Sequence, residues 1–274
     1  MALYTLSEIY IYPIKSLGGI RLQEAQVQEK GLAYDRRWML VDEKGNFLTQ
    51  RQHANMALLE VSLLQEGLQV RHKQNLLESL FIPFSDGYGQ EVQVQVWEDV
   101  CTGLEVNGGA SAWFSEALQM PARLVYMPDQ ERRLVDREYA HAGETVSFAD
   151  GYPLLLIGQA SLDELNSRLA EPVPMNRFRP NLVFAGGAPF AEDGFDTFAI
   201  GDVTFRAAKP CARCVVTTID QDTGIKSAEP LKTLSTFRLH RNKVMFGQNL
   251  LHKETGVLRV GDVLHVLETK APLL

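Results

Sequence analysis

The segment Glu91-Val-Gln-Val-Gln-Val-Trp97 shows the clearest structural pattern in this chain. Its valines and glutamines alternate, which predicts a strand with one apolar and one polar face. Apolar segments also flank two turn-forming sequences, Asp42-Glu-Lys-Gly-Asn46 and Gln65-Glu-Gly67, as expected for β-hairpins. The first hundred residues are therefore predicted to be mainly β.

The second half combines strands with a few helices. A short amphipathic segment at 112–118 predicts a helix that opens a second unit. Ser161 and Glu164 have the spacing of a capping box, which predicts a helix from there to about residue 169. Another helix is predicted at 230–238. Strands are predicted at 181–185, 203–207, 215–219 and 263–267.

These patterns predict a mainly β fold with some helices, in the α+β class. We expect a β-barrel-like domain over residues 1–105, packed against a mostly antiparallel barrel over residues 106–274. The polar segment 130–143 has little hydrophobic periodicity and is predicted to be a solvated loop near a site.

Charge narrows the possible partners. The 274 residues include 27 Lys and Arg against 34 Asp and Glu, a net charge of −7, which argues against binding to nucleic acid or anionic lipid. The first residues lack a secretory pattern, and apolar runs such as 153–157 are too short to span a bilayer. We expect a cytoplasmic protein that does not associate with membranes.

Three cysteines, at positions 101, 211 and 214, limit the possible redox chemistry. Their low, odd number argues against a disulfide framework and favours a reducing compartment. Three thiols cannot supply a four-cysteine iron–sulfur cluster or zinc site. An electron-transfer role would therefore need a different cofactor.

Two of these cysteines lie in the hexapeptide Lys209-Pro-Cys-Ala-Arg-Cys214, which is open to several interpretations. A thioredoxin-like pair would need a helix after the cysteines, whereas the sequence there predicts a strand. A zinc knuckle would need a second ligand pair, and the histidines show no such spacing. The thiols could instead be small buried apolar groups. A fourth possibility is a single thiolate, activated by Lys209 and Arg213, that binds a soft metal such as molybdenum on an anionic pterin.

Seven motifs in order along the chain carry a family resemblance. They are Tyr12-Pro-Ile-Lys-Ser16, Gly31-Leu-Ala-Tyr-Asp-Arg36, Phe148-Ala-Asp-Gly-Tyr-Pro153, Gln159-Ala-Ser-Leu162 with Leu165-Asn-Ser-Arg-Leu169, Phe178-Arg-Pro-Asn181, Lys209-Pro-Cys-Ala-Arg-Cys214 and Phe246-Gly-Gln-Asn249. Along nearly its full length, the chain resembles MOSC proteins with an N-terminal β-barrel domain, the family of the mitochondrial amidoxime-reducing component and its bacterial relatives.

The resemblance implies a molybdenum cofactor, molybdopterin carrying molybdenum, with Cys214 as the metal ligand and a catalytic residue. It also implies that Lys15, Ser16, Arg36 and Arg179 surround the pterin and its phosphate. Arginine suits this task because its planar fork of donors matches a phosphate group.

Further positions follow from the same resemblance. Asp150 would lie beside the metal as a second catalytic residue that holds water or delivers a proton. The remaining expected cofactor contacts are Gly151 and Tyr152 through backbone and shape, Ala212 and Arg213 beside the metal ligand, and Gln248 and Asn249 through their amides.

The implied reaction is the two-electron reduction of N-hydroxylated compounds, such as amidoximes and hydroxylamines, to amines. Because the cysteines cannot hold an iron–sulfur relay, we expect electrons from a separate flavin or ferredoxin-type protein. Arg132 and Arg133 are a candidate docking patch for it. The alternative is a protein that carries molybdenum cofactor or sulfur without turnover of its own.

Overall fold

Strands form most of the regular structure in the computed structural model, which describes residues 3–75, 77–85, 87–136, 138–140 and 143–272. The strands of the first half are β1 (Tyr4–Ile11), β2 (Ile20–Leu22), β3 (Glu24–Gln28), β4 (Gly31–Leu32), β5 (Trp38–Val41), β6 (Leu59–Leu63), β7 (Gly67–His72), β8 (Leu80–Pro83), β9 (Tyr88–Val96), β10 (Asp99–Val106) and β11 (Arg123–Tyr126).

Those of the second half are β12 (Leu154–Gly158), β13 (Leu182–Ala185), β14 (Phe195–Ile200), β15 (Val203–Arg213), β16 (Leu239–His240), β17 (Lys243–His252), β18 (Gly256–Arg259) and β19 (Val263–Thr269). Within the described residues the α-helices are α1 (Ala110–Leu118), α2 (Gln159–Asn166) and α3 (Leu231–Ser235). Short 3₁₀ turns span Ala54–Leu58, Met175–Arg177, Ala191–Gly194 and Val215–Thr218. The predicted fold class, mainly β with some helices, is confirmed.

A closed barrel organises the second half. Its strands follow the order β12-β13-β1-β19-β14-β15-β17, and β17 pairs back with β12, so seven strands close a ring within the described part of the chain. Only β12 and β13 run parallel among these pairs. Buried aromatic rings, including Phe184, Phe198 and Phe205, pack in its core. The predicted, mostly antiparallel barrel is confirmed.

The N-terminal half forms two further sheets around a second core. Strands β5, β11, β10 and β9 form one sheet, and β6, β7 and β8 form the other. Helix α1 packs into the same core through Phe114. On β9, Val94 and Val96 are buried whereas Gln93 and Gln95 are exposed, so the predicted two-faced strand is confirmed.

Strand pairing links the two halves of the chain. The first strand, β1, belongs to the barrel, where it pairs with β13 and β19. Strand β18 of the second half pairs with β3, and β11 pairs with β10 across residue 105. The division into domains 1–105 and 106–274 stays a prediction.

Two local predictions are wrong. Helix α2 begins at Gln159 and has no side-chain cap, because the Ser161 hydroxyl hydrogen-bonds the buried Glu192 carboxylate at 2.9 Å rather than its own helix. The segment predicted as a strand at 215–219 begins with a 3₁₀ turn. There the Thr217 and Thr218 hydroxyls donate to carbonyls three residues earlier, which competes with an extended backbone.

The segment 130–143 contains no helix or strand among its described residues and lies near Asp150, whose carbonyl accepts from Arg133 at 3.1 Å, as predicted for a loop near a site. Residues 137, 141 and 142 lie outside the described residues, and Arg132 is exposed. Arg133 is buried, donates to the Asp99 carboxylate at 2.7 Å and donates to the carbonyls of Ser147 and Ala149. It is therefore a structural cation below the surface, and the docking patch proposed for Arg132 and Arg133 is wrong.

Candidate functional site

One cleft collects charged residues from widely separated segments of the chain. Among the described residues, its walls comprise six cations and a single carboxylate, although the whole chain has a net charge of −7. The cations are Lys15, Arg36, Arg51, Arg177, Arg179 and Arg213, and the carboxylate is Asp150. Positive charge concentrated in a concave site favours an anionic ligand.

The hexapeptide with the cysteine pair forms one wall, at the end of β15. The pairing of β15 with β17 shifts register between Ala207 and Lys209 and again between Pro210 and Ala212. These irregularities interrupt the ladder just before Cys214, which precedes the 3₁₀ turn at Val215–Thr218. Such shifts redirect side chains beside functional sites, and here both cysteines line the cleft.

The two thiols have different neighbours. The Cys214 sulfur accepts a hydrogen bond from Arg51 Nε at 3.3 Å. Cys211 packs against an apolar cluster, and its sulfur accepts from Arg213 Nη1 at 3.0 Å. The Lys209 ammonium instead lies over the ring of Tyr139. Of the two cations predicted to activate a thiolate, Arg213 therefore contacts a thiol, that of Cys211, whereas the cation at the Cys214 sulfur is Arg51.

Lys15 and Asp150 form an ion pair on the cleft wall. The buried Lys15 ammonium donates to Asp150 Oδ1 at 2.6 Å and to the Phe148 carbonyl at 2.7 Å. Burial lowers the pKa of Lys15 to about 8, although the Asp150 charge opposes this shift. Burial disfavours the ionised form of Asp150, yet Lys15 and Arg51 hold the pKa of this carboxyl well below its usual range. Asp150 is therefore a carboxylate near neutral pH, with its side chain open to the cleft.

Arg36 and Arg179 both stack on one buried tyrosine. Their guanidinium carbons lie 4.3 Å and 4.2 Å from the centre of the Tyr12 ring. Arg36 also donates to the Asp35 carboxylate at 2.7 Å, and Arg179 donates to the Leu17 carbonyl at 2.7 Å. Burial lowers the pKa of Arg179 to about 10, so it stays charged near neutral pH. The Tyr12 ring therefore helps to hold two of the cations that line the cleft.

Backbone conformation marks three of these positions independently of charge. Ser16, Arg36 and Arg179 have φ angles of +67°, +50° and +54°, in the left-handed region that favours glycine. Non-glycine residues in this region are uncommon and cluster at functional sites. All three line the cleft.

The cleft contains all but one of the positions named from the sequence. Gly151, Tyr152, Ala212, Arg213 and Asn249 join the residues above in its walls. A side chain at Gly151 would meet no described atom within 4 Å, so this glycine leaves open space beside Asp150. In contrast, Gln248 is fully buried and donates to Asp193 at 2.8 Å. Gln248 is therefore not brought to the cleft.

The structure adds two residues that the sequence did not reveal. Arg51 contacts the Cys214 sulfur, and its Nη2 lies 3.3 Å from Asp150 Oδ2. Trp97 lies 4.2 Å beneath the Arg51 guanidinium and donates its indole N–H to Asp150 at 3.3 Å. Neither lies in a motif, and Arg51 is 163 residues from Cys214 in sequence. No local pattern could have joined them.

The lining residues fit a molybdenum cofactor that carries a phosphate. The described residues contain no cluster of three or more His, Cys, Asp or Glu side chains that could bind a metal, so one thiolate with ligands from a cofactor matches what this cleft offers. The buried Arg213 Nε lacks a hydrogen-bond partner within the described structure. A buried unpaired donor in a cationic cleft fits an anionic ligand.

Comparisons with known proteins agree with this site. Residues 3–121 match the MOSC N-terminal beta barrel domain, and residues 143–265 match the MOSC domain. The chain is 33% identical to mitochondrial amidoxime-reducing component 1 of Mus musculus, over 96% of this chain and 82% of that protein. It is 32% identical to the Homo sapiens protein of the same name, over 96% and 83%.

A molybdenum cofactor sulfurase from Oryza sativa subsp. japonica is also similar, with 34% identity over 88% of this chain and 32% of that protein. Among the described residues, no helix is long and apolar enough to cross a bilayer. The cytoplasmic location stays a prediction.

Proposed function

The chain belongs to the MOSC family that includes the mitochondrial amidoxime-reducing components, and from this premise we propose that it is a molybdenum-cofactor-dependent reductase of N-hydroxylated compounds. The observation that carries the proposal is the cleft, which places two thiols, one carboxylate and six cations of the described residues together. When bound, the molybdenum centre would supply the two-electron chemistry.

The chain's own residues would hold the cofactor at two ends. Cys214 would ligate the metal as a thiolate, and Arg51 would orient its sulfur through the 3.3 Å contact. Arg36 and Arg179 would bind the phosphate, with the backbone of Ser16 beside them, and Lys15 would contact the cofactor from its position against Asp150. These cations would balance the charge of the pterin phosphate within a partly buried cleft.

Asp150 would orient the substrate or water, and Lys15 would supply a proton. Reduction of an N-hydroxylated compound breaks the N–O bond, consumes two electrons and two protons, and releases an amine and water. Because Asp150 is ionised, it would accept a hydrogen bond from the substrate or water and orient it. Lys15, with a pKa of about 8 and its ammonium 2.6 Å from Asp150, is the proton store.

Matched cysteine variants test this proposal. Wild-type, Cys214→Ser and Cys211→Ser proteins would be made in a host that synthesises molybdenum cofactor, then assayed for molybdenum content and benzamidoxime reduction by viologen. We expect Cys214→Ser to lose both, because a hydroxyl is a poor ligand for a soft metal. Cys211→Ser should retain both. Equal loss in the two variants would refute the ligand assignment.

A second function, molybdenum cofactor or sulfur carriage without turnover, is favoured by the similarity to the rice sulfurase. It predicts full molybdenum loading without reduction of benzamidoxime by viologen. Wild-type protein that takes up no molybdenum in the same host would refute both functions.

A further inference from the structure

We propose that a basic face next to the cleft docks a small acidic electron-carrying protein, of the ferredoxin or flavodoxin type. This inference rests on the proposed reductase function, which needs an external donor. The basic face surrounds a second cavity and consists of Lys209, His240, Arg241, Lys243 and Lys270.

The cations of the basic face are not held in salt bridges within the described part of the chain, although the Asp196 and Asp193 carboxylates are close enough to Lys270 to act on its pKa. The lysines of the basic face and Arg241 form no ion pair with a carboxylate of the described residues, and Arg241 and Lys243 are exposed. The one carboxylate in the cavity wall, Asp193, is buried and paired with Arg238. Within an acidic protein, exposed cations without a salt bridge, here Arg241 and Lys243, favour encounter with an acidic partner.

The backbone of the basic face gives a second, independent sign of function. Arg241 and Asn242 connect β16 to β17 with φ angles of +46° and +62°. Glycine, asparagine and aspartate suit such a two-residue hairpin, whereas arginine is strained there. The turn alone therefore gives no reason for arginine at position 241. A positive charge displayed at the hairpin tip gives that reason.

The basic face and the cleft lie on either side of one strand. Ala212, near the end of β15, lines both cavities. Tyr139 lies on the basic face and Tyr152 in the cleft, and their rings meet edge to face with centroids 6.2 Å apart. The Lys209 ammonium lies over both rings, 4.4 Å from Tyr139 and 5.1 Å from Tyr152. A carrier docked here would be separated from the redox centre by the thickness of that wall.

The number of electrons that each turnover needs favours a short-lived complex between the enzyme and its electron carrier. Each N–O cleavage needs two electrons, and a one-electron carrier must dock twice, leaving oxidised each time. Redox encounters of this kind use small, charged interfaces rather than large apolar ones. The basic face, rich in exposed cations, suits such a partner.

Charge reversal on the basic face tests the proposal. Lys243→Glu alone, and Lys243→Glu combined with Arg241→Asp, would be compared with Lys44→Glu, which makes the same single reversal at an exposed lysine in the turn after β5. Aspartate tolerates the left-handed region, so the hairpin should persist. All proteins would be loaded with molybdenum and assayed with benzamidoxime. The electron sources would be reduced methyl viologen, plant-type ferredoxin and flavodoxin, with each protein carrier kept reduced by NADPH and a catalytic amount of ferredoxin–NADP⁺ reductase.

We expect the double variant to raise the KM for at least one protein donor by about tenfold at low ionic strength, and the difference to shrink at high salt. Viologen turnover should stay within about twofold of wild type, which also reports an intact site. Lys44→Glu should match wild type with every donor.

Two results would overturn the inference. One is an unchanged KM for the protein donors in the double variant. The other is wild-type turnover with viologen but with neither protein donor. Absence of wild-type viologen turnover despite full molybdenum loading is a different outcome, which would remove the proposed function and this inference together.

Discussion

Lys15→Met gives a measurable pH signature of the buried ion pair. In the native protein, burial lowers the pKa of Lys15 from 10.5 to about 8. Between these values the unfolded chain binds more protons at this site than the folded chain. The free energy of unfolding therefore increases as pH rises through this window, because the buried Lys15 loses its proton and the cost of burying its charge disappears.

The pKa shift sets the size of the effect. Because the pKa falls from 10.5 to about 8, the Lys15 contribution is at most about 3.5 kcal/mol, at about 1.4 kcal/mol for each pH unit between these values. Over the narrower interval from about pH 7.5 to about pH 9.5, the same linkage gives about 2 kcal/mol. Methionine cannot titrate, so the variant should lack this gain. Removing Lys15 also changes the pKa of its partner Asp150, but that carboxyl titrates at acid pH, outside the interval from about pH 7.5 to about pH 9.5.

Urea unfolding at the two pH values measures this difference. The free energy of unfolding of wild type minus that of Lys15→Met should increase by about 2 kcal/mol from about pH 7.5 to about pH 9.5. Lys44→Met, which removes an exposed lysine, is the control: it shows how the free energy of unfolding changes with pH when a lysine that is not buried is lost. A flat difference, or one that falls with pH, would show that the Lys15 ammonium is not destabilised by burial.

Two further predictions concern the cleft. Arg36→Lys and Arg179→Lys should each lower the molybdenum and pterin retained on purification, because lysine cannot make the bidentate phosphate contact, whereas Arg168→Lys, at an exposed residue just after α2, should retain wild-type levels. Full retention in both cleft variants would contradict the phosphate site. Arg51→Gln should lower viologen-driven kcat by roughly tenfold or more at unchanged molybdenum content, since a charge-assisted hydrogen bond contributes about 1.5–3 kcal/mol; wild-type kcat in that variant would exclude an orienting role.

The parts of the fold that could be predicted from the sequence are those that depend on residues close together in the chain. The alternation in 91–97 depends on neighbouring residues alone, and β9 has the expected buried and exposed faces. Ser161 shows the limit of such reasoning. Its spacing to Glu164 matches a capping box, but a carboxylate 31 residues away, Glu192, binds the hydroxyl instead. Closure of the barrel by β12 and β17 likewise depends on contacts between distant segments.

The cleft shows the same limit at the level of chemistry. Motifs located the cysteine pair and the segment around Asp150, and the structure brings these together. The contacts of Arg51 and Trp97 with Asp150 have no counterpart in a motif. Gln248 lies in a motif, yet its position on β17 directs it to the buried Asp193, away from the cleft. Motif membership predicts proximity to a site, whereas strand register decides which side chains enter it.

The strained positions explain how the cleft keeps its cations in place. Each strained residue is held by bonds within the chain: Gln50 donates to the Ser16 carbonyl at 2.7 Å, Arg36 donates to Asp35 and Arg179 donates to Leu17. Each strained residue lowers the free energy of unfolding by about 1 kcal/mol or more, and the bonds named above hold it in this geometry. Cations already fixed lose little conformational entropy when an anion binds. The strain therefore favours a preformed anion site over one that assembles around its ligand.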